Sequence, residues 1–240
     1  MPQERLDKLI SSNGALSRKE AAKLISAGSV YVNGKKIKNA AQKADPDNDE
    51  IIISGKKFDF KKRIYLMLNK PKGVVSASEG KGEKTVVDLV PDSLKRSGLF
   101  PAGRLDKDTT GFVLITDDGA FAHKILSPKN HIDKTYFVTL KKELSNESVK
   151  VIEVGLELHD GTKFLPSKIS PLSPDTCEIT ICEGKYHQIK RMFKAAGNEV
   201  IDLKRIRMGD LPLDPDLAEG ETRELTKPEL NLIEQKNNNY

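Results

Sequence analysis

The junction at residues 101–119 constrains this chain more than any other stretch: Pro-Ala-Gly-Arg-Leu-Asp-Lys-Asp-Thr-Thr-Gly-Phe-Val-Leu-Ile-Thr-Asp-Asp-Gly. A polar loop with two glycines and two carboxylates runs straight into a fully apolar strand. Loops held by rigid strands are where reactive groups tend to sit. Asp106 and Asp108 are therefore candidates for acid–base or nucleophilic work. An ordinary turn with helix-capping or surface aspartates fits the same residues. The 240 residues exceed the usual single-domain size, so one large or two unequal domains are expected.

Residues 4–12 read as a short helix with Leu6, Leu9 and Ile10 on one face. Ser17-Arg18-Lys19-Glu20 is a capping box that opens a second helix. Ala21, Leu24 and Ile25 face inward there, and Gly28 stops it. Val30 and Val32 alternate as a strand, Asn33-Gly34 signals a hairpin, and Ile51-Ile52-Ile53 returns as another strand. Arg5, Lys8, Arg18, Lys19 and Lys23 are left for the outside. The acidic loop 45–50 lacks the Gly and Glu of a calcium loop and reads as a solvated turn. The charged stretch Lys56–Arg63 reads as a linker.

Charge sets this first quarter apart. Residues 1–63 hold 14 basic and 8 acidic residues, a net of +6; the remainder holds 26 and 27, a net of −1. Such asymmetry fits an electrostatic footprint for a polyanion, and a solvated basic surface fits it equally. There is no apolar run long enough to span a bilayer and no basic-then-apolar N-terminal signal. Cys177 and Cys182, five apart in one expected strand, point to opposite faces. No Cys or His cluster has metal-ligand spacing. A reducing cytoplasm fits best.

Beyond the linker, strands are expected at 64–68, 112–116, 134–140, 176–182 and 199–207, and helices at 119–126, 145–154, 185–196 and 227–234. Thr226 and Glu229 cap the last helix. In the helix at 185–196, Tyr186, Ile189, Met192, Phe193 and Ala196 form a buried stripe, with Lys190 and Arg191 at its edge. The Gly/Ser/Lys-rich loop 72–84 lacks the ending of a nucleotide-phosphate loop. Strands and helices do not alternate regularly, so the fold class is α+β. The tail 235–240 is expected to be disordered.

Several words then carry a family resemblance. Arg5-Leu6-Asp7-Lys8, Leu16-Ser17-Arg18 and Gly28-Ser29-Val30-Tyr31-Val32-Asn33-Gly34 resemble the α-L RNA-binding module. Gly103-Arg104-Leu105-Asp106, with Asp108-Thr109-Thr110-Gly111-Phe112 and Leu114-Ile115-Thr116, resembles the catalytic motif of ribosomal RNA pseudouridine synthases of the RsuA type. Met67–Gly73, Lys134-Thr135-Tyr136 and Glu183–Met192 look like three further words of that family. The resemblance implies an α-L domain over 1–60, a linker at 61–63, and a catalytic domain over 64–234 built on a mainly antiparallel central sheet.

It also implies roles. Asp106 becomes the catalytic carboxylate, Tyr136 the ring that stacks on the target uracil, and Lys190 the cation beside Asp106. Asp108 orders the loop, Arg104 holds a phosphate or fills the space the base vacates, and Ile189 packs under the flipped base. Arg5, Lys8, Arg18 and Lys19 contact RNA. A structural hydrogen-bonding role is expected for His187.

The chemistry suits these residues. Pseudouridine formation detaches uracil N1 from the ribose, turns the ring, and joins C5 to the same carbon. No atom is gained or lost, so neither redox cofactor, metal nor nucleotide cofactor is expected. A carboxylate can add covalently, stabilise a cationic sugar, or assist proton removal. It must be ionised, and a nearby cation favours that form. The partner expected is ribosomal RNA, 16S or an assembling small subunit, bound by a monomer away from membranes. The alternatives are a large-subunit rRNA synthase, a non-catalytic ribosome-assembly factor, and a hydrolytic glycosidase using Asp106 with Asp108.

Overall fold

The computed structural model describes residues 3–235 apart from 15, 47, 59 and 131. Expectations that fall on Met1 and Pro2, on Asp47 and Asp59, and on tail residues 236–240 lie outside the described residues. The chain divides into two compact units: residues 1–64 with 90–99, and 65–89 with 100–240.

In the N-terminal unit β1 (Glu4–Arg5) leads into α1 (Leu6–Ser12) and α2 (Arg18–Ser26). The strands β2 (Val30–Val32), β3 (Lys35–Ile37), β4 (Lys43–Ala44), β5 (Ile51–Ile53) and β6 (Lys56–Lys57) follow. The expected capping box forms at α2: Ser17 Oγ accepts from the Glu20 amide, and Glu20 accepts from the Ser17 amide at 2.7 Å. Such a cap is worth about 1 kcal/mol. Asn33 and Gly34 both take positive φ, 50° and 75°, as a two-residue hairpin with the right twist requires. The sheet runs β3-β2-β5-β6, while β1 pairs only with β4. Leu6, Leu9, Ile10, Ala21, Ile25 and Val30 fill the core between helices and strands.

Three expectations change here. The first helix starts at Leu6, because Glu4 and Arg5 pair with β4 instead. The segment after Gly55 is not a free linker: β6 extends the sheet, Phe58 and Phe60 pack on the core, and the Lys61 amide donates to Asn13 Oδ1 at 3.2 Å. Residues 90–99 join this unit although the sequence reading placed them in the catalytic domain. Arg96 donates to the carbonyls of Lys61 and Lys62 at 2.9 and 3.2 Å.

The second unit comprises β7 (Tyr65–Lys70), β8 (Phe100–Pro101), β9 (Thr110–Thr116), α3 (Gly119–Leu126), β10 (Lys134–Leu140) and α4 (Asn146–Val154). It continues with β11 (Lys168–Ser173), β12 (Thr176–Ile181), α5 (Gln188–Ala195), β13 (Val200–Met208), β14 (Leu211–Pro212), β15 (Thr222–Glu224) and α6 (Lys227–Glu234). The sheet order is β11-β12-β10-β13-β9-β7-β15, with β8 on β9 and β14 on β13. Only β13–β9 is parallel among these pairings. The fold is α+β with a mainly antiparallel sheet, as expected.

The apolar run of β9 explains its place. Phe112 and Leu114 face a core with Met67, Ala122, Ile125, Met208 and Ile233. Val113 and Ile115 alternate to the other face and are equally buried. Each such side chain contributes roughly 1.5–3 kcal/mol when fully buried. Cys177 and Cys182 are both buried free thiols.

One helix differs from its expected span. It begins at Gln188, not 185, because His187 is left-handed (φ 49°, ψ 35°) and cannot continue a helix backward. Tyr186 therefore falls outside the helix and outside the buried stripe, with 74% of its surface exposed. Ile189, Met192 and Phe193 keep the buried face.

Candidate active site

The loop before β9 is fixed from below by a buried lysine. Lys70, at the end of β7, is 0% exposed. Its Nζ donates to the carbonyls of Thr109 (2.9 Å), Pro71 (3.1 Å) and Lys107 (3.3 Å). Burial pulls this ammonium down to about 8, against the opposing charges of Asp108 and Asp106. Ser76 Oγ donates to the Leu105 carbonyl at 2.9 Å and accepts from the Leu105 amide at 3.0 Å. The Thr109 amide donates to the Asp106 carbonyl at 3.1 Å and closes the turn. At Gly111 (φ 95°) a Cβ would lie 2.2 Å from the Arg205 carbonyl oxygen, so only glycine lets β13 come alongside.

This loop offers Asp106 to two basic neighbours. Its side chain is 29% exposed, and Oδ2 accepts from Lys190 Nζ at 3.1 Å. His187 Nε2 lies 3.5 Å from Oδ1. Lys190 Nζ also donates to Asp108 Oδ1 at 2.6 Å. Burial lowers the Lys190 pKa, but the hydrogen bonds and charges of Asp108 and Asp106 outweigh it, so the net shift is upward. The hydrogen bond from Lys190 holds Asp108 below its ordinary value. Lys190 thus stays charged across neutral pH and binds both carboxylates.

The turn that carries His187 is braced by Gln188, which is buried. Gln188 Oε1 accepts from the Lys185 amide at 3.0 Å, and Nε2 donates to Glu183 Oε1 at 2.9 Å. Asp106, Arg104, Thr109, Tyr136, His187, Ile189 and Lys190 line one pocket of about 70 Å³. That is room for roughly five waters. Charged Arg104, Asp106 and Lys190 and apolar Leu105, Ile181 and Ile189 line it together.

Comparisons with known proteins identify the family. Residues 64–195 match the model of the RNA pseudouridylate synthase family, and residues 4–51 match the S4 domain. The chain belongs to the RNA pseudouridylate synthase family. It is 48% identical to an uncharacterized RNA pseudouridine synthase of Bacillus subtilis, over 95% of this chain and 98% of that one. It is 41% identical to ribosomal small subunit pseudouridine synthase A of Escherichia coli K12, over 94% and 98%. A crystal structure of a pseudouridylate synthase, 38% identical, superposes with a TM-score of 0.66 over 96% of this chain and 99% of that one.

Within this synthase, five residues singled out from sequence meet in the one pocket: Asp106, Tyr136, Lys190, Arg104 and Ile189. Tyr136 sits on β10, buried, with Arg205 and Ile179 as its cross-strand neighbours. Arg104 is exposed beside the pocket, and Ile189 is buried on α5. The four N-terminal candidates belong to the other unit and are not equally free. Arg5 and Arg18 both pair with Asp7, at 2.8 and 3.2 Å, and Lys8 pairs with Glu4 at 3.3 Å. Lys19 is exposed.

Sequence reading undervalued three residues of the synthase. Lys70 looked like the end of a strand, yet it anchors the loop of Asp106. His187 was assigned a structural hydrogen bond, yet its imidazole lies against Asp106 itself. Gln188 carried no assignment and braces the turn between them. A lysine closing an otherwise buried strand was the one available signal for the first.

No helix among the described residues is long and apolar enough to cross a membrane.

Proposed function

We propose that the chain converts one specific uridine of 16S ribosomal RNA to pseudouridine, acting as a monomer in the cytoplasm on RNA or an assembling small subunit. The carrying observation is that Asp106, held by Lys190 at 3.1 Å, shares a pocket with Tyr136. The target base leaves its stack to enter that pocket, because its reacting atoms are unreachable inside a helix. Tyr136 stacks on the uracil, Ile189 packs beneath it, and Arg104 holds the adjoining phosphate or the space left behind. The N1–C1′ bond breaks, C5 bonds to C1′, C5 loses its proton and N1 gains one. Asp106 supplies the negative charge for that exchange, with the Lys190 ammonium hydrogen-bonded to its Oδ2.

The N-terminal unit, with its net charge of +6 over residues 1–63, supplies phosphate contacts through Arg5, Lys8, Arg18 and Lys19. The 16S target rests on the small-subunit enzymes among its relatives, 40% and 41% identical over most of the chain. Mapping pseudouridines in rRNA from a deletion strain tests the reading. One missing modification in 16S rRNA, restored by the wild-type gene, is expected. A missing site in 23S rRNA would move the substrate to the large subunit, and an unchanged map would overturn the function proposed.

A further inference from the structure

Tyr186 is the only exposed tyrosine or phenylalanine among the described residues. An aromatic ring open to water beside a pocket presents a π-face on which a second ring can stack. Its ring is stacked on the His187 imidazole, centroids 3.9 Å apart and planes within 18°. The inner member of this stack lies 3.5 Å from Asp106 through Nε2. With one face on His187 and 74% of the residue exposed, the outer face of Tyr186 is open to solvent.

The stack is held in place before any ligand arrives. Gln188 ties the turn to the Lys185 amide and to Glu183, and Lys185 pairs with Glu183 at 2.9 Å. His187 occupies the left-handed region, a conformation that costs a non-glycine residue energy and persists where surroundings enforce it. Gly184, Lys185 and His187, on either side of Tyr186, line the pocket itself. Two parallel rings thus lead from the reactive carboxylate to the surface.

We propose that Tyr186 and His187 form a stacking platform for an unpaired RNA base adjacent in sequence to the target uridine. The inference rests on the pseudouridine synthase reading above and adds a second nucleotide subsite to it. Flipping the target exposes a face of its neighbour, and an aromatic ring can take over that contact. Every base has a π-face, so such platforms serve single-stranded RNA generally. Tyr186 is separate from Tyr136: the latter is buried on β10 and takes the target base.

The test compares full-length wild type, Tyr186→Ala and Tyr186→Phe on transcribed, unmodified 16S and 23S rRNA, with UMP as a single-nucleotide control. Tyr186→Ala should raise KM and RNA Kd about tenfold, within the range that one base–aromatic stack spans. Turnover at saturating RNA should fall less than affinity does. Tyr186→Phe should restore RNA affinity, and UMP binding should be unchanged in both variants. Affinity unaltered by Tyr186→Ala, on a transcript that wild type converts, overturns the platform and leaves the enzyme assignment standing. Equal losses in Ala and Phe variants would replace stacking with a hydroxyl hydrogen bond and also overturn it. A loss of UMP binding would put Tyr186 on the target base, against the proposal. If wild type converts no uridine in either RNA, free or assembled with ribosomal proteins into particles, the synthase reading itself falls, and the platform with it.

Discussion

The tetrapeptide Arg-Leu-Asp-Lys occurs twice in this chain, at residues 5–8 and at 104–107, and the two copies end in opposite states. In both, the leucine is buried and the aspartate meets two basic side chains. In the N-terminal copy the carboxylate of Asp7 is 8% exposed and saturated. Arg5 donates twice, at 3.0 and 2.8 Å, the Lys8 amide donates at 2.8 Å, and Arg18 at 3.2 Å. The Arg5 hydrogen bonds, with help from Arg18 and against burial, hold its pKa at about 2. In the second copy Asp106 is 29% exposed and shares its pocket with its own arginine, Arg104. It receives one lysine hydrogen bond and one imidazole contact. The first carboxylate is closed by its donors and serves the fold; the second keeps open oxygens, as the proposed chemistry requires. Four identical residues do not fix the outcome. The surroundings do: a helix start that bends Arg5 back, against a loop held open by Lys70.

The largest effect should come from the open copy. Asp106→Asn keeps the shape and removes the charge, so turnover on rRNA should fall by at least about 10³-fold. RNA affinity, carried by phosphate contacts, should stay near wild type. Single-turnover assays with parallel binding measurements check both. Turnover within about tenfold of wild type would erase the distinction between the copies.

Asp7→Asn should do the reverse. It should destabilise the N-terminal unit by about 2 kcal/mol, read in urea unfolding of the full chain, with no change in the chemical step at saturating RNA. The sign with pH follows from the lowered pKa. The folded value near 2 lies below the ordinary value of 3.8, so the stabilisation is complete above about pH 4 and fades as pH falls toward 2. Wild type and Asp7→Asn should therefore converge in acid. A gap that persisted at pH 2 would mean Asp7 acts by shape and not by charge.

The smallest effect belongs to the exposed Lys19, which lies near the closed copy in sequence. Lys19→Ala should weaken binding of all rRNA fragments alike and reduce the slope of log K against log salt by roughly 0.7–0.9. An unchanged slope would make Lys19 a solvated lysine.

Much of this was legible in the sequence where the determining contacts are local. Ser17 and Glu20, Thr226 and Glu229, and Asn33-Gly34 each specify their cap or turn within four residues, and all form. The pairing of Asp106 with Lys190, 84 residues apart, followed only from the family words. Local periodicity failed at Tyr186. Its spacing to Ile189 and Phe193 fits a helix, but the left-handed His187 breaks the helix first, for reasons held by Gln188 and Glu183. β11 escaped notice because Lys168–Ser173 has Pro171 and little apolar alternation, and its pairing comes from β12. The burial of Lys70 was invisible for a similar reason: two carbonyls from a distant loop, with that of the adjacent Pro71, make it tolerable.

The attachment of residues 90–99 to the N-terminal unit bears on how such a chain can be cut and inherited. The backbone passes between the units three times, after Ile64, after Leu89 and after Leu99. A recombination event at residue 64 would transplant β1 to β6 but leave behind Arg96, whose guanidinium holds the carbonyls of Lys61 and Lys62. It would also separate Gly14 from Lys95, whose carbonyl oxygen would lie 1.9 Å from a Cβ at that glycine. The S4 match over residues 4–51 is thus shorter than the piece that holds together as a body. A cut at residue 64 would therefore deprive the module of a ten-residue clasp that is encoded inside its neighbour.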